Sequence, residues 1–311
     1  MKLRSKDLIS AADLEKREVK AILEEAEHML GTVRKGRQLK MLKGKILATL
    51  FFEPSTRTRL SFESAMTRLG GSVIGFSGTE GTSVRKGETL QDTVRNVENY
   101  ADGIAMRHPL EGSARLAAQS VKIPVINGGD GANQHPTQAL LDLFTIKQEK
   151  DLRNTRVALC GDLKYGRTVH SLMYLLPMFG TEISIVSPEV LGMPEHIMDE
   201  VEGRYGTRPE KQASLKEAVK WADVLYVTRI QRERFPDPNE YERVAGSYVV
   251  DSRLLSGAKK DMVILHPLPR VDEIKPEVDS TPYAKYFDQT FYGVVVRMAL
   301  LNMLMGGGRH G

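Results

Sequence analysis

Glu53-Pro-Ser-Thr-Arg-Thr-Arg59 decides how this chain is read. An apolar, strand-like segment (45–52) leads into it. An amphipathic helical pattern leaves it, with Phe62, Ala65, Met66 and Leu69 at i, i+3, i+4 and i+7. Hydroxyls and guanidiniums are therefore clustered at a strand-to-helix turn. The free N–H groups of a helix start favour an anion. Hydroxyl donors and arginines beside them add direction and charge, which describes a phosphate site. A bare cation at a helix start is disfavoured by the dipole, so Arg57 and Arg59 ask for an anionic partner. A lone threonine there, such as Thr58, is by itself an ordinary cap.

On both sides of this run the chain alternates. Helical patterns cover 12–30, 59–69, 89–101, 114–119, 136–147, 168–178, 194–202, 215–221 and 289–305. Short β-like runs lie between them at 46–52, 73–76, 103–106, 124–126, 156–160, 182–186, 224–227, 248–250 and 262–265. Alternation of this kind predicts an α/β protein with parallel sheets and right-handed crossovers. At 311 residues the chain is long enough for two domains. We expect each to be a mainly parallel sheet flanked by helices, with an active site in the cleft between them. The expected domains are 1–135 and 136–287, with a last apolar helix, 288–311, packing back on the first. The polar stretch 148–154 comes after the bridging helix.

In open parallel α/β sheets, ligands bind beyond the carboxyl ends of the strands. The residues at those ends are of one kind here. Ser55 to Arg59 come after the first strand, and Arg107 and His108 after 103–106. A turn, Asn127-Gly-Gly-Asp-Gly131, succeeds 124–126 and leads to Gln134, His135 and Gln138. Gly161-Asp-Leu-Lys-Tyr-Gly-Arg167 succeeds 156–160. Thr228, Arg229 and Gln231 come after 224–227, and His266-Pro-Leu-Pro-Arg270 after 262–265. Arginine, histidine, glutamine and hydroxyl residues recur at the edge where a ligand should sit. There is no HExxH, GxSxG, GxGxxG or GxxxxGK[ST] pattern. Zinc hydrolysis, a serine nucleophile, dinucleotide chemistry and nucleoside triphosphate hydrolysis all lose support. What remains is a site that positions anionic substrates and stabilises developing negative charge.

Composition agrees. Hydrophobic residues at 41% and charged residues at 27% are those of a soluble globular protein. A net charge of +4, spread along the chain, suits small anions and does not call for nucleic acid. The one cysteine, Cys160, lies in a strand-like run and reads as a small core residue. It excludes an internal disulfide and a cysteine-cluster metal site. The N-terminus lacks the apolar core of a signal peptide. The apolar stretch 294–305 is broken by Arg297 and Asn302 and is too short to span a bilayer. A cytoplasmic protein without membrane contact is expected.

The strand-end motifs, taken together, resemble the aspartate/ornithine carbamoyltransferase family from end to end. They are Phe52-Glu-Pro-Ser-Thr-Arg-Thr-Arg59, Ser83-Val-Arg-Lys-Gly-Glu-Thr89, Met106-Arg-His-Pro109, Asp130-Gly-Ala-Asn-Gln-His-Pro-Thr-Gln138, the Gly161 to Ser171 segment, Thr228-Arg-Ile-Gln231 and His266-Pro-Leu-Pro-Arg270. The Lys86 loop, Arg229-x-Gln231 and His-Pro-Leu-Pro point to the aspartate branch. The ornithine branch typically has a cysteine where this chain has Pro267.

The resemblance implies attack of an amine on carbamoyl phosphate, with no metal and no organic cofactor. By that likeness Ser55, Thr56, Arg57 and Thr58 hold the phosphate. Arg107, His135 and Thr58 donate to the carbonyl oxygen. Gln138 and the main-chain carbonyls near Pro267 and Leu268 orient the carbamoyl nitrogen. Arg167, Arg229 and Gln231 bind the carboxylates of L-aspartate. Ser83 and Lys86 reach in from a neighbouring chain of a homotrimer, and Lys86 meets both substrates. Glu53 pairs with Arg167 and Arg234 in domain closure. A separate regulatory chain is left open. The rivals are a carbamoyltransferase for ornithine or another amine, and a non-catalytic phosphometabolite-binding subunit. His28, His170, His196 and His310 read as structural, His108 as a packed neighbour of Arg107, and His266 as shaping its turn. Arg232 and Arg243 read as solvated.

Overall fold

The computed structural model describes residues 3–306 except 38, 236 and 245. The chain divides into two compact units, Met1–Phe144 with Thr290–Gly311, and Thr145–Gln289. The first unit is built from α1 (Lys16–Arg34), β1 (Ile46–Phe51), α2 (Thr56–Arg68), β2 (Ser72–Ser77), α3 (Leu90–Glu98), β3 (Gly103–His108), α4 (Ser113–Ser120) and β4 (Val125–Asp130). Helix α5 (Pro136–Glu149) leads out of it. The strands are parallel and lie in the order β2-β1-β3-β4. Strand β1 is apolar except for Thr49 and central, so both of its faces are buried. Ala48 and Leu50 pack with Ile104, Met106, Ala114 and Val125 on one side. Leu47, Phe51, Phe62 and Met66 are also fully buried. Burial of a side chain the size of Phe62 or Met66 contributes about 1.5–3 kcal/mol. That anchoring fixes the direction of α2, and with it the position of the helix N-terminus.

The second unit repeats the plan. It contains β5 (Arg156–Cys160), α6 (Arg167–Leu175), β6 (Glu182–Val186), α7 (Glu195–Tyr205), β7 (Glu210–Lys211), α8 (Leu215–Trp221), β8 (Val224–Val227), α9 (Pro238–Val244), α10 (Ser252–Leu255) and β9 (Val263–Leu265); the last helix, α11 (Tyr286–Met305), belongs from Thr290 onward to the first unit. Its parallel order is β7-β6-β5-β8-β9. Ala158, Cys160, Leu225, Val227 and Ile264 form a core against Ala218 and Val219 of α8. Burial pushes the Cys160 thiol well up, as expected of an inert core cysteine.

Both sheets have a topological switch point, where the chain leaves a central strand to one side and later returns on the other. It falls between β1 and β3 in the first sheet and between β5 and β8 in the second. Elsewhere the structure moves some expected boundaries. Helix α2 begins at Thr56, three residues before the expected start at Arg59, because its first turn is polar and carries no apolar periodicity. Residues 248–250 are not a strand; Val250 makes one bridge to Ile274. Asp251 ends the run at once by capping α10 through Leu254 N at 2.7 Å. Strand β7 and helix α10 are too short to show a period in the sequence, and α9 lies outside the expected helical patterns.

Candidate active site

The first crevice opens at the carboxyl ends of β1 and β3. The turn after β1 is pinned to β3, with Phe52 N and Glu53 N both donating to Arg107 O at 2.9 and 3.4 Å. Ser55 takes the N-cap position of α2 in extended conformation, yet its hydroxyl makes no capping bond. No acidic residue occupies the first turn. The helix start and the Ser55 hydroxyl therefore suit an incoming anion. Thr56 and Arg57 are exposed, whereas Thr58 is buried and lies beside Gly128 at the end of β4. Arg59 is committed elsewhere, in an i,i+4 ion pair of 2.7 Å with Glu63. Of the two arginines of the run, Arg57 is the one turned to solvent. Arg107, at the end of β3, binds Glu53 Oε1 through Nη2 at 2.9 Å.

The buried carboxylate of Asp130 builds the next part of this site. Its Oδ1 accepts from Asn127 Nδ2 (2.8 Å) and Gln134 N (3.1 Å), and its Oδ2 accepts from Gly112 N (2.9 Å) and Asn133 Nδ2 (3.0 Å). These bonds close the turn after β4 and deliver His135 just before α5, where Pro136 fits the first helical position. His135 is buried, with Thr137 Oγ1 3.5 Å from its Nδ1. Gln138 donates Nε2 to Asp142 Oδ1 at 2.8 Å. A carboxylate only accepts, so this contact fixes the amide's orientation and leaves its carbonyl oxygen as an acceptor. Helix α11 supplies Arg297, which donates to Ser61 and Thr137.

The second crevice opens between β5 and β8. Gly161 leaves β5 at φ +108°, and a Cβ there would lie 2.3 Å from Thr228 O, so the two strand ends touch only because this residue is glycine. Thr228 Oγ1 donates to Cys160 O and Asp162 O at 3.1 and 3.2 Å. Asp162 is fully buried and accepts from Tyr165 N (2.9 Å) and Gln231 N (3.5 Å). Burial pushes its carboxyl above the usual range, against the pull of the surrounding amides and the Arg229 charge. Gln231 Nε2 donates to Tyr165 O at 3.2 Å. One buried aspartate therefore holds the loop that carries Arg229 and Gln231 against the loop that enters α6 at Arg167. Arg167 is itself 8% exposed.

The 266–270 turn is held by a buried pair. His266 Nε2 donates to Glu273 Oε1 at 2.6 Å, and His266 Nδ1 accepts from Leu268 N at 2.8 Å. Both ring nitrogens are used, which makes the imidazole neutral; burial likewise lowers its pKa. Burial tends to raise Glu273, but hydrogen bonds from His266 and from nearby amides outweigh it and the carboxyl is held below its usual range. Glu273 Oε2 takes Val271 N and Asp272 N at 3.0 and 3.1 Å. The turn places Leu268 at φ +56°, a left-handed conformation rare for a side-chain-bearing residue. His266 shapes its turn, as its place in the sequence suggests. His170 supports another loop by bonding Leu163 O at 2.8 Å, and His108 packs on Phe52 with ring centroids 4.9 Å apart.

Ser55 to Thr58 and Arg107 thus surround one switch point, and Arg167, Arg229 and Gln231 the other. His135 and Gln138 share the start of α5. Ser83 and Lys86 lie on an exposed 3-10 turn closed by Gly87, and the Lys86 side chain makes no hydrogen bond or ion pair among the described residues. Arg234 ends a further 3-10 turn, with its N–H on Gln231 O at 2.9 Å. Sequence reasoning assigned no part to Asp130, Asp162, Glu273 or Arg297. For Arg297 a signal existed: a charge inside an otherwise apolar helical face.

Comparisons with known proteins place this chain in a family. A model of the aspartate/ornithine carbamoyltransferase carbamoyl-P binding domain matches residues 6–148, and one of the Asp/Orn binding domain matches 153–304. The chain belongs to the aspartate/ornithine carbamoyltransferase family. It is 58% identical over 306 residues to the aspartate carbamoyltransferase catalytic subunit of Methanopyrus kandleri, covering 98% of each chain. It is 56% identical to that of Thermococcus onnurineus, covering 98% of this chain and 99% of the other. The solved catalytic subunit of M. jannaschii aspartate transcarbamoylase superposes with a TM-score of 0.89 at 51% identity, covering 99% of this chain and 100% of that one. Aspartate transcarbamoylase from Trypanosoma cruzi, solved with carbamoyl phosphate and aspartate, gives 0.91 at 40% identity over 96% of each chain.

Proposed function

We propose that this chain is an aspartate carbamoyltransferase catalytic chain. It transfers the carbamoyl group of carbamoyl phosphate to the amine of L-aspartate, giving N-carbamoyl-L-aspartate and phosphate, an early step of de novo pyrimidine biosynthesis. The observation that carries the reading is the clustering of Ser55 to Thr58 and Arg107 at one switch point and of Arg167, Arg229 and Gln231 at the other. The relatives' substrates fit the two clusters.

In this reading the N-terminus of α2, with Ser55, Thr56, Arg57 and Thr58, holds the phosphate. Arg57 neutralises the charge that grows on the leaving group. Arg107, His135 and Thr58 donate to the carbonyl oxygen as it becomes a tetrahedral oxyanion. Gln138, with its nitrogen tied to Asp142, accepts from the carbamoyl NH₂. The carbonyls of Pro267 and Leu268 do the same, and the left-handed Leu268 held by His266 and Glu273 is what aims them. Arg167, Arg229 and Gln231 take the two carboxylates; forked guanidiniums suit such groups. The amine attacks the carbonyl carbon, the C–O bond to phosphate breaks, and the proton lost from nitrogen leaves with the phosphate.

Lys86 and Ser83 complete the site from a neighbouring chain of a homotrimer. An exposed, unengaged Lys86 supports this, as do exposed Leu60 (58%) and Ile74 (41%) on α2 and on the edge strand β2. Glu53 and Arg234 couple substrate arrival to domain closure. The setting is cytoplasmic; among the described residues no helix is long and apolar enough to cross a membrane. The deciding assay supplies carbamoyl phosphate with aspartate and with ornithine separately. Carbamoylation of aspartate is expected. Carbamoylation of ornithine alone, or ligand binding without turnover in verified trimers, would overturn the reading.

A further inference from the structure

We infer that Arg297 is a positioning residue that sets the tautomer of His135 through Thr137. The inference rests on the proposed carbamoyl transfer, in which His135 must offer an N–H to the carbonyl oxygen.

Arg297 sits in the apolar helix α11, yet it is only 3% exposed. Its Nη1 donates to Ser61 Oγ on α2 at 2.9 Å, and its Nη2 to Thr137 Oγ1 on α5 at 3.3 Å. The guanidinium lies 5.0 Å from the centroid of the Phe62 ring. Gly293, one turn earlier, makes the space: a Cβ there would lie 2.8 Å from Nη1. Nε is buried without a hydrogen-bond partner. Burial pushes the group down to about 10, so it remains a cation at neutral pH.

Packing does not account for such a residue. A buried, incompletely bonded cation is costly, and an apolar side chain of similar length commonly serves as well or better. What an apolar residue would not do is polarise Thr137. A guanidinium has only donors, so Thr137 Oγ1 accepts from it and turns its own hydrogen elsewhere. His135 Nδ1 is 3.5 Å from that oxygen. Donation from the polarised hydroxyl to Nδ1 leaves that nitrogen unprotonated and puts the ring hydrogen on Nε2. Arg297 also acts electrostatically with Asp142, the group that holds Gln138. One buried cation thereby ties the phosphate helix to both groups at the start of α5.

The test is ¹⁵N-histidine NMR of the unliganded protein, with His135 assigned by loss of its signal in His135→Gln. The wild type should show Nε2–H and an unprotonated Nδ1. Thr137→Val and Arg297→Met should lose that preference, and Arg297→Lys should recover part of it. In the same variants kcat should fall about 10²-fold, the scale of a misplaced catalytic group, while KM for carbamoyl phosphate moves little. The melting temperature of Arg297→Met should not fall. An Nδ1–H tautomer in the wild type overturns the inference, as does a kcat loss with the tautomer unchanged. If Arg297→Met does not fold, Thr137→Val carries both readouts. The spectrum needs no substrate, so it judges the relay even if the wild type fails to carbamoylate aspartate, a result that would sink the proposed activity instead.

Discussion

The two crevices share a topology and differ in how they are held. In the first, Ser55 to Thr58 form a contiguous run at a helix start, and the helix makes no use of the Ser55 hydroxyl. In the second, Arg167 comes from one loop and Arg229 and Gln231 from another, and the buried Asp162 joins the two. The first therefore stands largely ready for its anion. The second owes its shape to one carboxylate whose burial works against its charge. A phosphate site of the first kind survives as long as its helix does. A carboxylate site of the second kind can be lost through a residue that never touches the ligand.

Single substitutions probe that contrast. The largest loss should come from Arg57→Ala, since removing one preorganised donor at developing charge costs about 10²–10³ in kcat. Steady-state turnover with aspartate checks it, and a loss under tenfold would mean that Arg57 is a surface charge. Arg229→Ala should act on the other side alone. A hydrogen bond to a charged group contributes about 1.5–3 kcal/mol, so KM for aspartate should rise roughly 10- to 100-fold with carbamoyl phosphate binding unchanged. Asp162→Asn should raise KM for aspartate several-fold without touching phosphate affinity, measured by titration calorimetry. Equal weakening of both ligands would show that the crevices are not independently held.

A smaller change is expected with pH. His266 is lowered from an ordinary value of 6.5 and Glu273 from 4.5. A group with a depressed folded pKa contributes stability that is present above its unfolded value and lost as pH falls through its folded value. Both groups therefore loosen the 266–273 turn on acidification, His266 below pH 6.5 and Glu273 below pH 4.5. Hydrogen exchange at the Leu268 amide, corrected for the intrinsic rate, should speed up from pH 7 to pH 5. Slower corrected exchange would contradict the neutral His266 assignment.

How much of this could be read from the sequence depended on how local each feature was. Glu53 to Arg59 was legible because strand, turn and helix start are contiguous. The parallel α/β fold was legible from alternation, and most strand positions with it. Residues 248–250 misled because three apolar residues look like a strand until Asp251 caps the next helix. Asp162 stood inside a motif, but its role needed burial and two loops to appear. Arg297 was visible as a break in an apolar helix, yet its partners lie 236 and 160 residues away. Glu53 bonds Arg107, 54 residues away. No local pattern encodes contacts at such separations.

The proposed activity requires the two crevices to take different anions. Titration calorimetry of inorganic phosphate with the wild type, Arg57→Ala and Arg229→Ala puts that to the test. Arg57→Ala should weaken phosphate binding at least tenfold, as loss of a charged hydrogen bond implies, while Arg229→Ala should bind like the wild type. Loss of phosphate binding in Arg229→Ala, with Arg57→Ala unaffected, would contradict the assignment of the two crevices.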